Sequence, residues 1–246
     1  MMRLLRIALI LSFIAVLPNC KYVGDDSADR PESAKKFPRP YRPVSKIVGN
    51  RFWTEAKRDA AGEAELLMDW ANIKEGMTVA DLGAGEGYYT VRLSTRVGNK
   101  GRVLAQDIDA EALKKLGRRV ARREFTNVAI QKGDVDNPKL PKGSFDRVFM
   151  VHMYHEVSEP YAFLWQLHPA LAKGGEVIVV DRDYPTDQHG IPPRLLFCEF
   201  EALGYSLKGY SEQLNVGGYF ARFEASGKRP DPDKIKICKE KQSSGV

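Results

Sequence analysis

Cysteine is scarce in this chain: Cys20, Cys198 and Cys238 are the three in 246 residues, and none stands at the paired spacing that holds zinc or runs thiol redox chemistry. A cysteine metal centre and a disulfide framework are therefore excluded as the organising principle. Cys198 and Cys238 could form a single disulfide in an exported chain, but their positions do not require it. Apolar length is also short. The run at residues 7–17 falls below the roughly 18 residues of a membrane-spanning helix. Aromatic residues are missing from the most basic stretch, where Lys114, Lys115, Arg118, Arg119, Arg122 and Arg123 share a helix with a Leu113, Leu116 and Val120 stripe. Without stacking rings between the charges, this face reads as solvated, and nucleic acid is disfavoured as a partner.

The chain does contain a run of strands that end in acidic residues. Residues 78–87, TVADLGAGEG, form an apolar strand that ends in Asp81 and opens into a turn with Gly83, Gly85 and Gly87. Tyr89, Leu93 and Val97 follow at i, i+4 and i+8, the spacing of a helix. Strand, glycine turn and helix make the first unit of a doubly wound nucleotide-binding sheet. A dinucleotide loop presents bare N–H groups to pyrophosphate. Here Asp81 and Glu86 flank the loop, and their charge favours a cationic ligand without phosphate. The GxGxG spacing also departs from the GxGxxG dinucleotide fingerprint.

A second strand, RVLAQDID, ends at Asp107, 20 residues past Gly87, where a carboxylate can bind ribose hydroxyls. A third, VAIQKGDV, stops at Asp134. Taken in order, DLGAGEG, QDID and GDV resemble the motifs of class I S-adenosylmethionine-dependent methyltransferases, over roughly residues 53–224. That resemblance implies an α/β, Rossmann-like, doubly wound sheet of seven mostly parallel strands, the last antiparallel between the fifth and sixth. It implies S-adenosylmethionine as cofactor, bound by Asp81, Gly83, Gly85, Glu86, Gly87, Asp107, Ile108, Asp134 and Val135. The nucleobase amino-methyltransferases of this family carry an Asn/Asp-Pro-Pro-aromatic loop after the fourth strand, which VHMYHE lacks, so a small or lipophilic acceptor is expected.

The remaining strands are read as residues 145–151, FDRVFMV, and 176–181, EVIVVD. Between them lies a helix carrying Tyr161, Leu164, His168 and Leu171 and stopping at Gly174-Gly175. A helix over RLLFCEFEALGY and an antiparallel pair, YSLKGYSEQL and GYFARFEA, complete the sheet. The segment before the first strand reads as a helical lid with Leu66, Leu67 and Trp70 in the core. His152 and His155 follow the fourth strand at the acceptor position, and His155 is the expected general base. Two histidines and one carboxylate match no zinc pattern, so no metal is expected.

The ends differ in kind from the domain. Arg3 and Arg6 precede the apolar run, a secretory signal pattern over residues 1–20, and Leu17-Pro18-Asn19-Cys20 resembles a bacterial lipobox that would tether the protein through Cys20. Removing residues 1–19 lowers the net charge of +6 to +4, since Arg3 and Arg6 are the only charges lost. Residues 21–50 carry Pro31, Pro38, Pro40 and Pro43 and read as a solvated linker. Residues 51–226 are expected to form the methyltransferase domain that the resemblance implies, and residues 227–246 read as a poorly ordered polar tail. The expected protein is an envelope methyltransferase, periplasmic or lipid-anchored. Its rivals are a non-catalytic envelope protein that keeps a nucleoside-binding fold and, more weakly, an NAD-dependent oxidoreductase.

Overall fold

The computed structural model describes residues 30–47, 54–213 and 217–239. The signal pattern, Cys20 and most of the turn between the last two strands lie outside the described residues.

Alternation of side chains along each strand builds a core on both faces of one sheet. The helices α1 (Glu55–Ala60) and α2 (Glu63–Trp70) precede β1 (Thr78–Leu82), α3 (Tyr88–Val97), β2 (Arg102–Asp107), α4 (Ala110–Arg122), β3 (Val128–Lys132) and β4 (Phe145–Val151). Then come α5 (Pro160–Leu167), β5 (Leu171–Asp181), α6 (Pro193–Glu201), β6 (Tyr205–Gln213) and β7 (Gly218–Ala225). Ala80, Leu82, Val148, Met150, Val177 and Val179 pack on one face with α5 and α6. Val79, Phe149, Ile178 and Val180 pack on the other, with α2 and α3. Each fully buried Val or Ile, as at Val148, Val177, Ile178, Val179 and Val180, contributes roughly 1.5–3 kcal/mol.

The strand order is β3-β2-β1-β4-β5-β7-β6. The first five strands are parallel, and β7 runs antiparallel between β5 and β6. This is the expected seven-stranded Rossmann-like arrangement. The chain reverses direction across the sheet between β1 and β4, and that switch opens a crevice at the strands' carboxyl ends.

Three expectations are corrected. The helix before β5 ends at Leu167, because Pro169 cannot continue it, and a single 3₁₀ turn, His168–Ala170, leads into a strand that starts at Leu171. Gly174 and Gly175 therefore sit inside β5, where its pairing with β4 slips between Phe145 and Arg147. The lid breaks at Gly62, in left-handed geometry at φ 66°, which turns Leu67 into the core and leaves Leu66 42% exposed.

The described residues of the linker, 30–47, form a strap against the domain, and those of the tail, 227–239, are anchored as well. Arg42 is 2% exposed and its guanidinium donates to Glu199 at 2.8 Å, while Ala34 and Phe37 are buried. From the tail, Ile235 and Cys238 are buried, Cys238 N–H donates to Tyr161 Oη at 2.7 Å, and Cys238 is disulfide-bonded to Cys198. Tyr41 and Lys239 pair as an isolated bridge, so strap and tail clasp one another. Proline content suggested solvated spacers, but buried charge pairs and the cross-link supply an anchorage that composition does not reveal. No helix among the described residues is long and apolar enough to cross a membrane.

Candidate active site

At the end of β1 the backbone of Gly85 has φ 54° and no neighbour within 4 Å of where a Cβ would stand, so the loop there faces open space. Gly87 has φ 91°, and a Cβ would collide with Leu116 of α4. One glycine thus lets a ligand approach and the other lets two helices pack. Asp107, at the end of β2, accepts from Gly85 N–H at 2.8 Å and Asp109 N–H at 2.9 Å, which fixes its carboxylate against the loop. Asp109 in turn caps α4, accepting from the N–H groups of Glu111 and Ala112.

These loops enclose a cavity of about 510 Å³, within the range of small-molecule sites. Asp81, Gly83, Gly85, Glu86, Asp107, Ile108, Asp134, Val135, His152 and His155 all line it. Gly87 does not, and serves helix packing instead. Asp134 is half-exposed and paired with Lys139 at 2.7 Å.

The acidic residues act differently from what their sequence positions suggest. Asp81 is 3% exposed and accepts from Thr90 Oγ1 at 2.6 Å. Burial pushes its carboxyl up to about 6, against the Thr90 hydroxyl and the Arg58 charge, with Asp107 adding to the rise. Glu86 pairs with Lys115 at 2.7 Å, so its charge is partly neutralised. The repulsion of phosphate inferred from Asp81 and Glu86 is accordingly weaker than the bare sequence implies. The same pairing thins the basic helix: Arg119 forks onto Glu55 at 2.6 and 2.8 Å.

At the other end of the cavity, beyond β4, His155 is 3% exposed, and its Nδ1–H donates to Asp181 at 2.9 and 3.0 Å. Asp181 closes β5 and is fully buried. A carboxylate on Nδ1 fixes the tautomer and leaves Nε2 as the acceptor nitrogen. Apolar groups surround this end: Ile47, Val151, Met153, Val157 and Phe163. His152 is drawn away from this centre. Its Nε2 lies 3.4 Å from Glu63, which also accepts from Arg58 at 2.5 Å and Tyr89 at 2.9 Å. Burial raises the Glu63 carboxyl, but His152 and Arg58 outweigh it and bring it down to about 2.

Three contributors were not singled out from the sequence. Asp181 read only as the end of a strand. His189, held below the ordinary imidazole value by burial and then by His155 and Arg182, sits in a loop with no motif of its own. Ser45 belongs to the strap, and its Oγ donates to Thr186 C=O at 2.6 Å and accepts from His189 N–H at 2.9 Å. The acidic ending of β5 was the one available signal.

Residues 79–175 match the model of a methyltransferase domain. Together with the fold, this match supports a Rossmann-like methyltransferase domain that uses S-adenosylmethionine. Among solved structures, the chain is similar to an S-adenosylmethionine-dependent methyltransferase from Aquifex aeolicus. The identity is 25%, the TM-score 0.60, and the match covers 70% of this chain and 97% of that one. Among curated proteins it is similar to the ubiquinone/menaquinone biosynthesis C-methyltransferase UbiE of Coxiella burnetii, 29% identical over 116 residues and 46% of each chain. The UbiE protein of Enterobacter sp. (strain 638) is 26% identical over 182 residues, covering 73% of this chain and 70% of that protein. The chain spans about half the length of the Coxiella relative.

Proposed function

We propose that this chain transfers the methyl group of S-adenosylmethionine to a small lipophilic acceptor of the quinol-like aromatic class, at the cell envelope. The observation that carries the reading is one cavity with two unlike ends: glycines and oriented carboxylates at β1–β3, and a buried His155–Asp181 pair among apolar side chains at β4–β5. Asp107 and the β1 loop would hold the donor, with Asp134 and Val135 beside its adenine. The apolar end would hold the acceptor ring, and His155 Nε2 would accept a proton from an acceptor hydroxyl, raising the nucleophilicity of the ring carbon. The methyl would pass in line from the sulfonium, whose sulfur leaves as a neutral thioether, to the ring carbon; that carbon's proton would then be lost to solvent, and the oxygen would take back the proton held by His155. The UbiE relatives support a quinone-type acceptor by their described reaction.

Export rests on the Arg3, Arg6 and Cys20 pattern and is supported by the Cys198–Cys238 disulfide, a bond that persists in oxidising compartments. A lipid on Cys20 would place the domain beside a membrane-dissolved acceptor. A reporter enzyme active only outside the cytoplasm, fused after residue 50, should be active, and a silent reporter rejects export.

The decisive experiment is calorimetry with S-adenosylmethionine and with NAD, followed by transfer of labelled methyl to a demethylated naphthoquinol. Heat with the first ligand alone is expected. His155→Ala should lower turnover by about 10²-fold with little change in donor affinity. No heat with S-adenosylmethionine at millimolar concentration rejects the reading, and heat with NAD instead replaces it by the oxidoreductase.

A further inference from the structure

The acceptor end of the cavity gathers a set of side chains that methyl transfer by itself does not require. One ring nitrogen each of His155 and His189 and a carboxylate oxygen of Glu156 lie within 4.8 Å of one another. All three residues line the cavity. The two imidazoles meet edge to face with centroids 5.6 Å apart. They reach this point from separate segments, His155 and Glu156 from the 3₁₀ turn Tyr154–Glu156 after β4, and His189 from the loop after β5. That loop is pinned on both sides of His189. Ile191 N–H donates to Arg182 C=O at 2.9 Å, and the His189 N–H donates to Ser45 Oγ.

We propose that His155, Glu156 and His189 bind one divalent transition-metal ion, with Zn²⁺ as the type, and leave coordination positions open toward the cavity. Two imidazoles and a carboxylate are a three-ligand set with which catalytic metal sites keep room for water or substrate. Zinc held tetrahedrally by nitrogen and oxygen at about 2.0–2.2 Å needs donors about 3.3–3.5 Å apart. Buried His155 is the fixed point, and rotation of the partly exposed Glu156 and His189 closes the 4.8 Å spread.

The surrounding shell fits the same assignment. Asp181 engages Nδ1 of His155, so Nε2 is the nitrogen left for a metal, the carboxylate–histidine arrangement that orients ligating imidazoles. Asp181 also accepts from Arg182 N–H at 2.8 Å and is held in that supporting position. A site without thiolates does not favour Cu(I), and a site with two nitrogens does not favour Mg²⁺ or Ca²⁺. The ion would coordinate an acceptor hydroxyl and lower its pKa. The hydroxyl proton would then go to water, with Nε2 serving as ligand instead of proton acceptor.

The inference takes the acceptor hydroxyl from the methyl-transfer reading and replaces the proton-acceptor role given there to His155 Nε2, while binding of the ion is tested apart from donor binding. The purified protein, dialysed against a chelator, is titrated with Zn²⁺ by calorimetry and with Co²⁺ by absorption spectroscopy. One ion per chain is expected, with ligand-field bands of a nitrogen and oxygen site and no heat from Mg²⁺. His189→Ala and Glu156→Gln should each weaken Zn²⁺ binding at least tenfold, with circular dichroism and S-adenosylmethionine affinity unchanged. Should His189→Ala fail to fold, His189→Gln takes its place, and the wild-type stoichiometry is decisive on its own. No stoichiometric Zn²⁺, or equal affinity in both variants, overturns the site while leaving donor binding intact. Absence of donor binding with a normal Zn²⁺ titration would instead overturn the methyltransferase reading alone.

Discussion

The two ends of the cavity are built in opposite ways. At the donor end, the groups come from consecutive strand–helix turns, and its fixing contact, Gly85 N–H to Asp107, spans 22 residues. At the other end the central pair, His155 with Asp181, spans 26 residues, but the contacts that hold the strap behind it reach much farther: Ser45 to Thr186 across 141 residues and Arg42 to Glu199 across 157. A turn that must cradle one ligand carries its chemistry in local sequence. A pocket that selects an acceptor is assembled from distant segments, each of which reads as an ordinary loop.

Cutting the clasp is the strongest way to separate the two ends. The disulfide closes a loop of 40 residues, worth about 4 kcal/mol on chain-entropy grounds. Cys198→Ser with Cys238→Ser, or a reductant, should lower the melting temperature markedly while donor affinity holds. An equal collapse of donor affinity would show that the two ends are one cooperative unit.

A pH test sharpens the donor side. Asp81 titrates at about 6 in the fold against an ordinary 3.8, so between those values the folded state keeps a proton that the unfolded chain has released. Its contribution is most favourable below pH 3.8 and is lost as pH rises through 6. Measured by denaturant unfolding, wild type should lose up to about 3 kcal/mol relative to Asp81→Asn between pH 4 and 7. A pH-independent difference would mean that folding does not raise the Asp81 carboxyl.

Asp107→Ala removes the acceptor for two backbone N–H groups as well as the expected ribose contact. Calorimetry should show donor binding weaker by about 1.5–3 kcal/mol, and unchanged affinity would detach Asp107 from the donor. The smallest effect is expected on the basic helix. Converting exposed Arg118, Arg122 and Arg123 to Gln should change stability by no more than about 0.5 kcal/mol each and leave turnover nearly intact. Loss of activity there would make the substrate a polyanion and join that helix to the acceptor end.

How much was legible follows the same division. The β1, β2 and β4 boundaries could be read because buried parallel strands are apolar runs bounded by turn residues. The start of β5 could not, because a glycine pair looks like a helix stop until its pairing with β4 is seen. Among the residues that line the cavity, those of the β1 and β2 turns could be named from glycine and acid spacing, and His155 from its place after β4. Asp181, His189 and Ser45 carried no local pattern that joins them. The apparent repulsion by Glu86 depended on a charge whose partner, Lys115, lies 29 residues away.

The sequence by itself determined the alternation of strands and helices and the glycine-and-acid turn after β1, because each follows from side-chain period or from backbone freedom at a turn; the order of the strands across the sheet came from the tertiary structure. Only the tertiary structure decided that Asp81 is buried beneath the loop, that His152 belongs to Glu63, and that His155 is backed by Asp181 and faced by Glu156 and His189. Desolvation, ion pairing and ligand geometry are properties of distances between groups on different elements, and those distances exist only once the helices and loops have packed on the sheet.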